Sequence, residues 1–207
     1  MKAVFFSLSI VLMFACTSKK ETTEDLPKAE QSFILDSLLK YNSEAELIAS
    51  FGKENVARDT AWYPEGMGQY MISVLYPGTN NEVEFAWKDS IAFDQLLEIA
   101  LHQDSSDWNT HGIKIGSTLQ DLIKLNGKDF TFSGFGWDYG GSLFWSEGGN
   151  LSDLMLTLDI SNYDIPQAEQ DSLIGDQIIS SRSTVARKNN PVVREILLVP
   201  EEERLNK

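Results

Sequence analysis

A helix signature that occurs twice is the feature that most constrains this fold. Residues 43–53 read Ser-Glu-Ala-Glu-Leu-Ile-Ala-Ser-Phe-Gly-Lys, and residues 117–128 read Ser-Thr-Leu-Gln-Asp-Leu-Ile-Lys-Leu-Asn-Gly-Lys. Each begins with a serine that precedes a Glu or Gln by three positions, the spacing of a capping box. Each stops at a glycine, Gly52 or Gly127, the residue type that favours the left-handed backbone at a helix end. We therefore predict the same short helix in two places.

The residues after each helix have the alternation of β-strands. Three strand-like segments follow the first helix, at residues 69–76, 82–88 and 96–102, and three follow the second, at residues 130–135, 142–145 and 153–160. In residues 82–88, Val83, Phe85 and Trp87 share one face, as they do in a half-buried strand. The sequence therefore predicts an α+β fold, in which two α-β-β-β units form antiparallel sheets packed with short helices.

The predicted units divide one globular domain at residues 32–200. The pseudo-repeats span about 43–103 and 117–160, and residues 161–200 complete the second unit with a short helix and a final strand at 190–199. Residues 16–31 are polar and charged, which is typical of a flexible tether. Residues 201–207 form a charged tail.

The first fifteen residues have the pattern of a secretory signal peptide. Lys2 precedes an uncharged, mostly apolar run from Ala3 to Ala15, which is shorter than the about 20 residues that a membrane-spanning helix needs. Leu12-Met-Phe-Ala-Cys16 resembles a bacterial lipobox, with Met13 and Phe14 departing from its usual residues. The resemblance implies that Cys16 becomes the lipidated N-terminus. The alternative is an ordinary signal peptide with an incidental cysteine.

Lipidation would place the protein in the cell envelope. The membrane would then be its first partner, through acyl chains on Cys16. Thr17, rather than Asp, follows the cysteine, and in bacterial lipoproteins this resembles the class sorted to the outer membrane. We expect a lipid-anchored protein that faces the periplasm or the cell surface.

The charge and the residue set exclude several functional classes. The formal net charge is −14, and a nucleic-acid binder needs a basic footprint that the sequence does not supply. His102 and His111, the only histidines, do not have the spacing of a helical zinc pair. Phe144 stands where a nucleophile elbow after Ser142 needs its last glycine. We expect no catalytic residue, no metal and no cofactor.

The segment Phe130–Gly149 is the one unusual stretch. Seven of its twenty residues are aromatic and six are glycine, so it is either tightly turned β-structure or an aromatic binding site. The glycines fit bends and hairpin turns, which favours the structural interpretation. If part of the segment is exposed, the candidate binding residues are Phe135, Trp137, Asp138, Tyr139 and Trp145.

The second helix entry supports a resemblance to known envelope proteins. Gly112-Ile-Lys-Ile-Gly-Ser-Thr-Leu-Gln-Asp-Leu122, running on to Asn126 and Gly127, is similar to the helix entry in the small lipoprotein of the outer-membrane barrel-assembly machine. Tandem copies of such a unit form the fold of the β-lactamase inhibitor protein. The resemblance covers about residues 43–160, and it implies a protein-binding or assembly role without catalytic residues.

Two functional hypotheses follow. The first is a non-enzymatic envelope lipoprotein that binds another envelope protein. The second is a carbohydrate-binding or carbohydrate-cleaving protein, in which the aromatic segment stacks on a glycan and Asp138, Glu147 or Asp153 supplies carboxyl groups.

Replacing the lipid acceptor tests the location. The variant Cys16→Ser removes the thiol that accepts the lipid, so we expect unprocessed or released protein in place of a processed, membrane-bound form. Membrane fractionation and the intact mass of the protein measure both properties. A Cys16→Ser protein of normal size that stays in the membrane would contradict the lipobox interpretation.

Overall fold

A computed structural model describes residues 33–62, 68–160 and 163–204. The predicted signal peptide and the whole predicted tether, including Cys16, lie outside these residues, as do the last three residues of the tail. The helices are α1 Glu44–Phe51, α2 Leu119–Asn126, α3 Gln167–Leu173, α4 Thr184–Asn189 and α5 Glu201–Arg204, with 3-10 turns at Leu35–Lys40 and Lys53–Asn55. Within the described ranges, no helix has the length and apolar character that crossing a membrane requires.

Nine strands form two antiparallel sheets. They are β1 Val56–Trp62, β2 Gln69–Leu75, β3 Val83–Asp89, β4 Asp94–Leu101, β5 Thr131–Ser133, β6 Leu143–Phe144, β7 Met155–Asp159, β8 Ile178–Ser180 and β9 Val192–Leu198. The larger sheet has the order β1-β2-β3-β4-β9-β7, and the smaller has the order β6-β5-β8. The predicted α+β class, with antiparallel sheets and short helices, is confirmed.

The strands after each helix are arranged differently in the two halves. After α1 the chain forms an antiparallel meander that includes β1, a strand that the sequence analysis did not identify. After α2, strands β5 and β6 join β8 in the smaller sheet, whereas β7 and β9 complete the larger sheet. The region between residues 165 and 188 contains two helices and β8, rather than one short helix.

The two helices begin with related but shifted caps. At α1 the Ser43 hydroxyl accepts from the Glu46 N–H at 3.3 Å, as predicted, and the Glu46 carboxylate accepts from the Asn42 N–H at 2.7 Å. At α2 the capping box is Thr118 with Asp121, not the predicted Ser117 with Gln120. The Ser117 hydroxyl instead accepts from the Lys114 N–H at 3.0 Å in the preceding turn, so it is not available as the helix cap.

One hydrophobic core fills the space between the sheets and the helices. Val83, Phe85 and Trp87 all face it, as the alternation predicted, and Trp87 donates to the Ser73 hydroxyl at 3.0 Å. Leu47 of α1 and Leu122 of α2 are buried against the same core. The opposite face of the larger sheet carries the charged Glu84 and Glu195 and also a second, smaller hydrophobic cluster of Ile72, Val74 and Ala86, as the two-residue period of a strand requires.

Two glycines with positive φ differ in how much space surrounds them, so substituting each one tests a different effect. Gly127 ends α2 with φ +70°, and a Cβ there would meet its nearest neighbour at an ordinary 3.8 Å. Gly141 has φ +81°, but a Cβ there would lie 1.9 Å from the Leu158 carbonyl oxygen. We expect Gly127→Ala to lower the free energy of unfolding by about 1 kcal/mol and Gly141→Ala by more than about 2 kcal/mol. Urea denaturation of both variants measures this difference, and equal losses would contradict the close approach at Gly141.

Candidate functional site

The aromatic segment is divided between the core and the surface. Phe130, Phe132 and Phe135 are buried, and the rings of the last two lie 5.7 Å apart. Phe135, at 1% exposed, is therefore a core residue and not part of a surface as proposed from the sequence. The next residues leave the core: Trp137 is 38% and Tyr139 is 47% exposed, and Asp138 between them is also exposed.

Trp145 lies partly in the hydrophobic core and partly at the surface. Its indole N–H donates to the Leu154 carbonyl oxygen at 2.7 Å, and its ring centroid lies 5.0 Å from that of buried Phe130. The side chain is half-buried, with one part packed against the core. Trp145 therefore holds the end of the segment in place and also presents part of its ring to the surface.

The exposed turn at residues 137–139 is held beside β7 by backbone contacts. The Leu158 N–H donates to the Gly141 carbonyl oxygen at 2.9 Å, and a single bridge pairs Ser142 with Thr157. Gly141 permits this contact because any side chain there would overlap the backbone of Leu158. In addition, the indole N–H of Trp137 donates to the Gly134 carbonyl oxygen at 2.7 Å, which limits movement of its ring.

A β-bulge lies next to this contact. Thr157 pairs with Glu195 and Leu158 pairs with Val193, so Arg194 is the extra residue on β9 with no partner on β7. Val193 is buried in the core, whereas Arg194 is exposed. A bulge changes the direction of side chains along a strand. Here it places the Arg194 guanidinium on the surface beside the aromatic turn.

Two cavities meet at Arg194. The larger, which we call the aromatic groove, has a volume of about 640 Å³ and an apolar lining that includes Tyr139, Leu143, Trp145, Met155, Leu197 and Val199. Its charged lining consists of Asp138, Asp153, Arg194, Glu195 and Arg204. The second cavity has a volume of about 310 Å³ and is lined by Phe135, Gly136, Trp137, Gly140, Asp159, Tyr163 and Arg194.

The charged side chains of these cavities differ in how they are paired. Asp153 contacts Arg204 at 3.5 Å, and Glu195 accepts from the Thr157 hydroxyl at 2.6 Å. Arg194 forms no hydrogen bond or ion pair with another residue in the described part of the chain, and the same is true of Asp138. The groove therefore offers one guanidinium and one carboxylate to a ligand.

Among the side chains that line the two cavities, Tyr163 of the second cavity is the one with a strongly shifted pKa. Partial burial, the 2.7 Å hydrogen bond that its hydroxyl donates to Asp159, and the charge of that carboxylate raise the pKa of Tyr163 to about 12. The positive charge of Arg194 acts in the opposite direction. Tyr163 is therefore a neutral hydroxyl at physiological pH, where it is suited to hydrogen bonding rather than to proton transfer.

The three carboxylates considered for glycoside cleavage do not share one cavity. Asp138 and Asp153 line the aromatic groove, whereas Glu147 lines a separate depression with Asp129 and Arg182. Asp153 also lies 3.6 Å from His111, which contacts Asp36 at the same distance. Of the three, only Asp138 and Asp153 therefore share a cavity, and the Asp153 carboxylate is already in contact with Arg204 and His111.

The two histidines lie in acidic surroundings. His102 lies 3.4 Å from Glu195 and 3.9 Å from Glu84, on the face of the larger sheet away from the core. Among the described residues, no group of three or more His, Cys, Asp or Glu side chains has an arrangement that could hold a metal ion.

Three residues that line the aromatic groove were not predicted from the sequence: Arg194, Met155 and Leu197. One signal was present: Arg194 and Glu195 are consecutive polar residues in the apolar run Val192–Val199, and they interrupt the alternation of β9. Such an interruption is compatible with a bulge. The position of β7 beside it, however, depends on a long-range pairing that periodicity does not contain.

Comparisons with protein-family models, curated proteins and solved structures find no match to this chain.

Two aromatic truncations test the division between core and surface. In Trp145→Ala the protein loses packing on Phe130 and a hydrogen bond to Leu154, so we expect a loss of about 3 kcal/mol of stability. In Tyr139→Ala an exposed ring is removed, and we expect a loss of less than about 1 kcal/mol. Chemical denaturation of both variants measures these values. A Tyr139→Ala loss as large as that of Trp145→Ala would show that Tyr139 is a structural residue.

Proposed function

We propose that this protein is a non-enzymatic, lipid-anchored binding protein of the cell envelope, and that its aromatic groove receives a segment of a partner protein. The observation that carries the proposal is the concentration of exposed large apolar side chains around one pair of cavities. Trp137, Tyr139, Met155 and Tyr163 are all more than one-third exposed, and all line the aromatic groove or the second cavity. A contiguous exposed apolar surface of this kind is typical of an interaction site.

The dimensions of the aromatic groove support a peptide segment as its occupant. A volume of about 640 Å³ accommodates a few side chains rather than a whole domain surface. Its lining combines thioether, aliphatic and aromatic groups, from Met155, Leu197 and Tyr139. Methionine and aromatic side chains are enriched at protein interfaces relative to the rest of the surface.

The charges of the groove support binding rather than catalysis. Asp153 and Glu195 are engaged by Arg204 and by the Thr157 hydroxyl. Unpaired Asp138 is exposed to solvent. One exposed carboxylate and two engaged ones are suited to holding a ligand by charge and hydrogen bonds.

The proposed location fits this function. A lipid on Cys16 and a polar tether at residues 16–31 would hold the domain near the membrane. Confinement to a membrane surface raises the effective concentration of an envelope partner, so a modest groove can be sufficient for binding.

A glycan is the second candidate ligand, and one observation favours it. The rings of Trp137 and Tyr139 lie 5.7 Å apart and are nearly perpendicular, at 73°, with unpaired Asp138 between them. Exposed aromatic faces next to a free carboxylate suit sugar rings, which present apolar C–H faces and hydroxyl edges. This candidate uses the aromatic turn more than the apolar lining of the groove.

Site-specific crosslinking in cells tests the protein-binding proposal. A photoreactive phenylalanine analogue at Tyr139, in the full membrane-anchored protein, should form a discrete adduct with one envelope protein. The same analogue at Ile91, which is 90% exposed on the turn between β3 and β4, is the control and should not. We expect Met155→Glu to abolish the Tyr139 adduct, because it places a charge in the apolar lining. Met71→Glu, at a similarly exposed methionine on β2, should leave it unchanged.

The glycan candidate makes a different prediction for the same residues. If no protein adduct forms at Tyr139, and an oligosaccharide binds in a manner that Trp137→Ala abolishes without lowering the melting temperature, the protein-binding proposal is wrong. A glycan array followed by calorimetry with the bound sugar measures this outcome.

A further inference from the structure

Arg194 differs from every other arginine that the structure describes. Arg58 pairs with Glu44, Arg182 with Asp129, and Arg204 with Asp153, while Arg187 donates to the Ser181 carbonyl oxygen at 2.8 Å. The sequence contains 31 acidic residues and 17 Lys and Arg residues, so a guanidinium has many possible carboxylate partners. Arg194 nevertheless forms no ion pair within the described ranges.

The backbone gives a physical reason why Arg194 has no ion-pair partner. Arg194 is the extra residue of the bulge on β9, so it does not stand in register opposite a β7 residue. Cross-strand pairs are the usual means by which charged side chains on a sheet find partners. The bulge removes that option and directs the guanidinium toward the place where the two cavities meet.

We propose that Arg194 binds the terminal carboxylate of a partner protein whose apolar C-terminal residues occupy the aromatic groove. This inference rests on the proposed protein-binding function and names the part of the partner that is recognised. The planar guanidinium donates two parallel hydrogen bonds to a carboxylate, a geometry that a lysine does not provide. Met155 and Leu197 line the same groove as Arg194 and would contact the apolar side chains that precede the carboxylate.

The position of Arg194 favours the end of a peptide over its middle. Tyr139 lines the aromatic groove and Trp137 lines the second cavity, their rings are in edge-to-face contact, and Arg194 lines both cavities. An extended peptide that follows the groove therefore meets the two aromatic rings and the Arg194 guanidinium at the same end. If the peptide chain ends there, its last side chain can contact the rings while its terminal carboxylate contacts Arg194, because both groups are attached to one Cα atom.

The surrounding charges favour a single carboxylate over a multiply charged anion. Asp138, Asp153 and Glu195 line the same groove, and Asp159 lines the second cavity. Arg204 also lines the groove but is paired with Asp153. A phosphate, with more than one negative charge at neutral pH, would meet repulsion from these carboxylates, whereas a carboxylate carries the one charge that Arg194 compensates.

Calorimetry with the full-length protein tests the inference with paired probes. One pair is the peptide acetyl-Ala-Ala-Leu-Leu with a free C-terminus and the same peptide with a C-terminal amide. The other probes are decanoate, decanol and inorganic phosphate. We expect the free peptide to bind about tenfold more tightly than the amide, because a charge-assisted hydrogen-bond pair supplies about 1.4 kcal/mol or more.

Three variants assign the preference to Arg194. Arg194→Gln should abolish the difference between the free peptide and the amide, and Arg194→Lys should restore part of it, since the charge is kept and the fork is lost. Arg182→Gln, which removes an arginine that pairs with Asp129 outside the groove, should leave the difference unchanged. Unchanged melting temperatures for these exposed substitutions would show that the comparison is not affected by unfolding.

The remaining outcomes overturn the inference. In one outcome, the acid and amide peptides bind equally, Tyr139→Ala weakens the binding of both, and Arg194→Gln weakens neither. The groove then binds peptides without recognising a carboxylate.

In a second outcome, decanoate binds more tightly than decanol but the free peptide has no advantage over the amide, which would assign the site to a lipid-like carboxylate. Tighter binding of phosphate than of the peptide would assign the site to a different anion. If no probe binds while the Tyr139 crosslink forms, the proposed function stands and the C-terminal recognition does not.

Discussion

The close approach of Gly141 to Leu158 connects the smaller sheet to the larger one. Gly141 accepts a hydrogen bond from the Leu158 N–H at 2.9 Å, and the distance leaves no space for a side chain. Ser142 then bridges to Thr157 and leads directly into β6. Because of this contact, the exposed turn at residues 137–139 lies over the end of β7 rather than apart from it. The aromatic groove exists because these two pieces of backbone are in contact.

The first half of the fold was more predictable from sequence than the second. In the first half, strands follow one another in the chain and in the sheet, so local alternation is sufficient to place β2, β3 and β4. Strand β1 was missed because Arg58 and Asp59 give it a polar appearance. In the structure, Arg58 pairs with Glu44 of α1 and lies 3.7 Å above the ring of Phe93. An ion pair and a cation–π contact thus hold Arg58 within the strand, although an arginine in a sequence pattern is ordinarily assigned to an exposed loop.

The candidate site was predictable only in part, for a related reason. The sequence pointed to the aromatic segment, and Trp137, Asp138 and Tyr139 are exposed, but Phe135 faces the core because the chain bends only after it. Arg194 lies 55 residues or more from these side chains in sequence and reaches them through the pairing of β7 with β9. Neither composition nor local spacing contains that pairing, and the bulge that exposes Arg194 is itself a property of the pairing.

The outer face of the larger sheet is rich in carboxylates, which bears on the role proposed for Arg194. Burial raises the pKa of Glu84 on the face away from the core; the nearby charge of His102 opposes this shift, and Glu82, Asp59 and Glu195 add to it. Carboxylates crowded enough to raise one another's proton affinity also repel other anions. Against such a background an anionic ligand is attracted only where a cation is free, and paired Arg204 and Arg182 attract less than their formal charge suggests. The same acidic surroundings would repel polyanions, so they support the proposal that the Arg194 end of the groove takes a ligand with one negative charge and an apolar body.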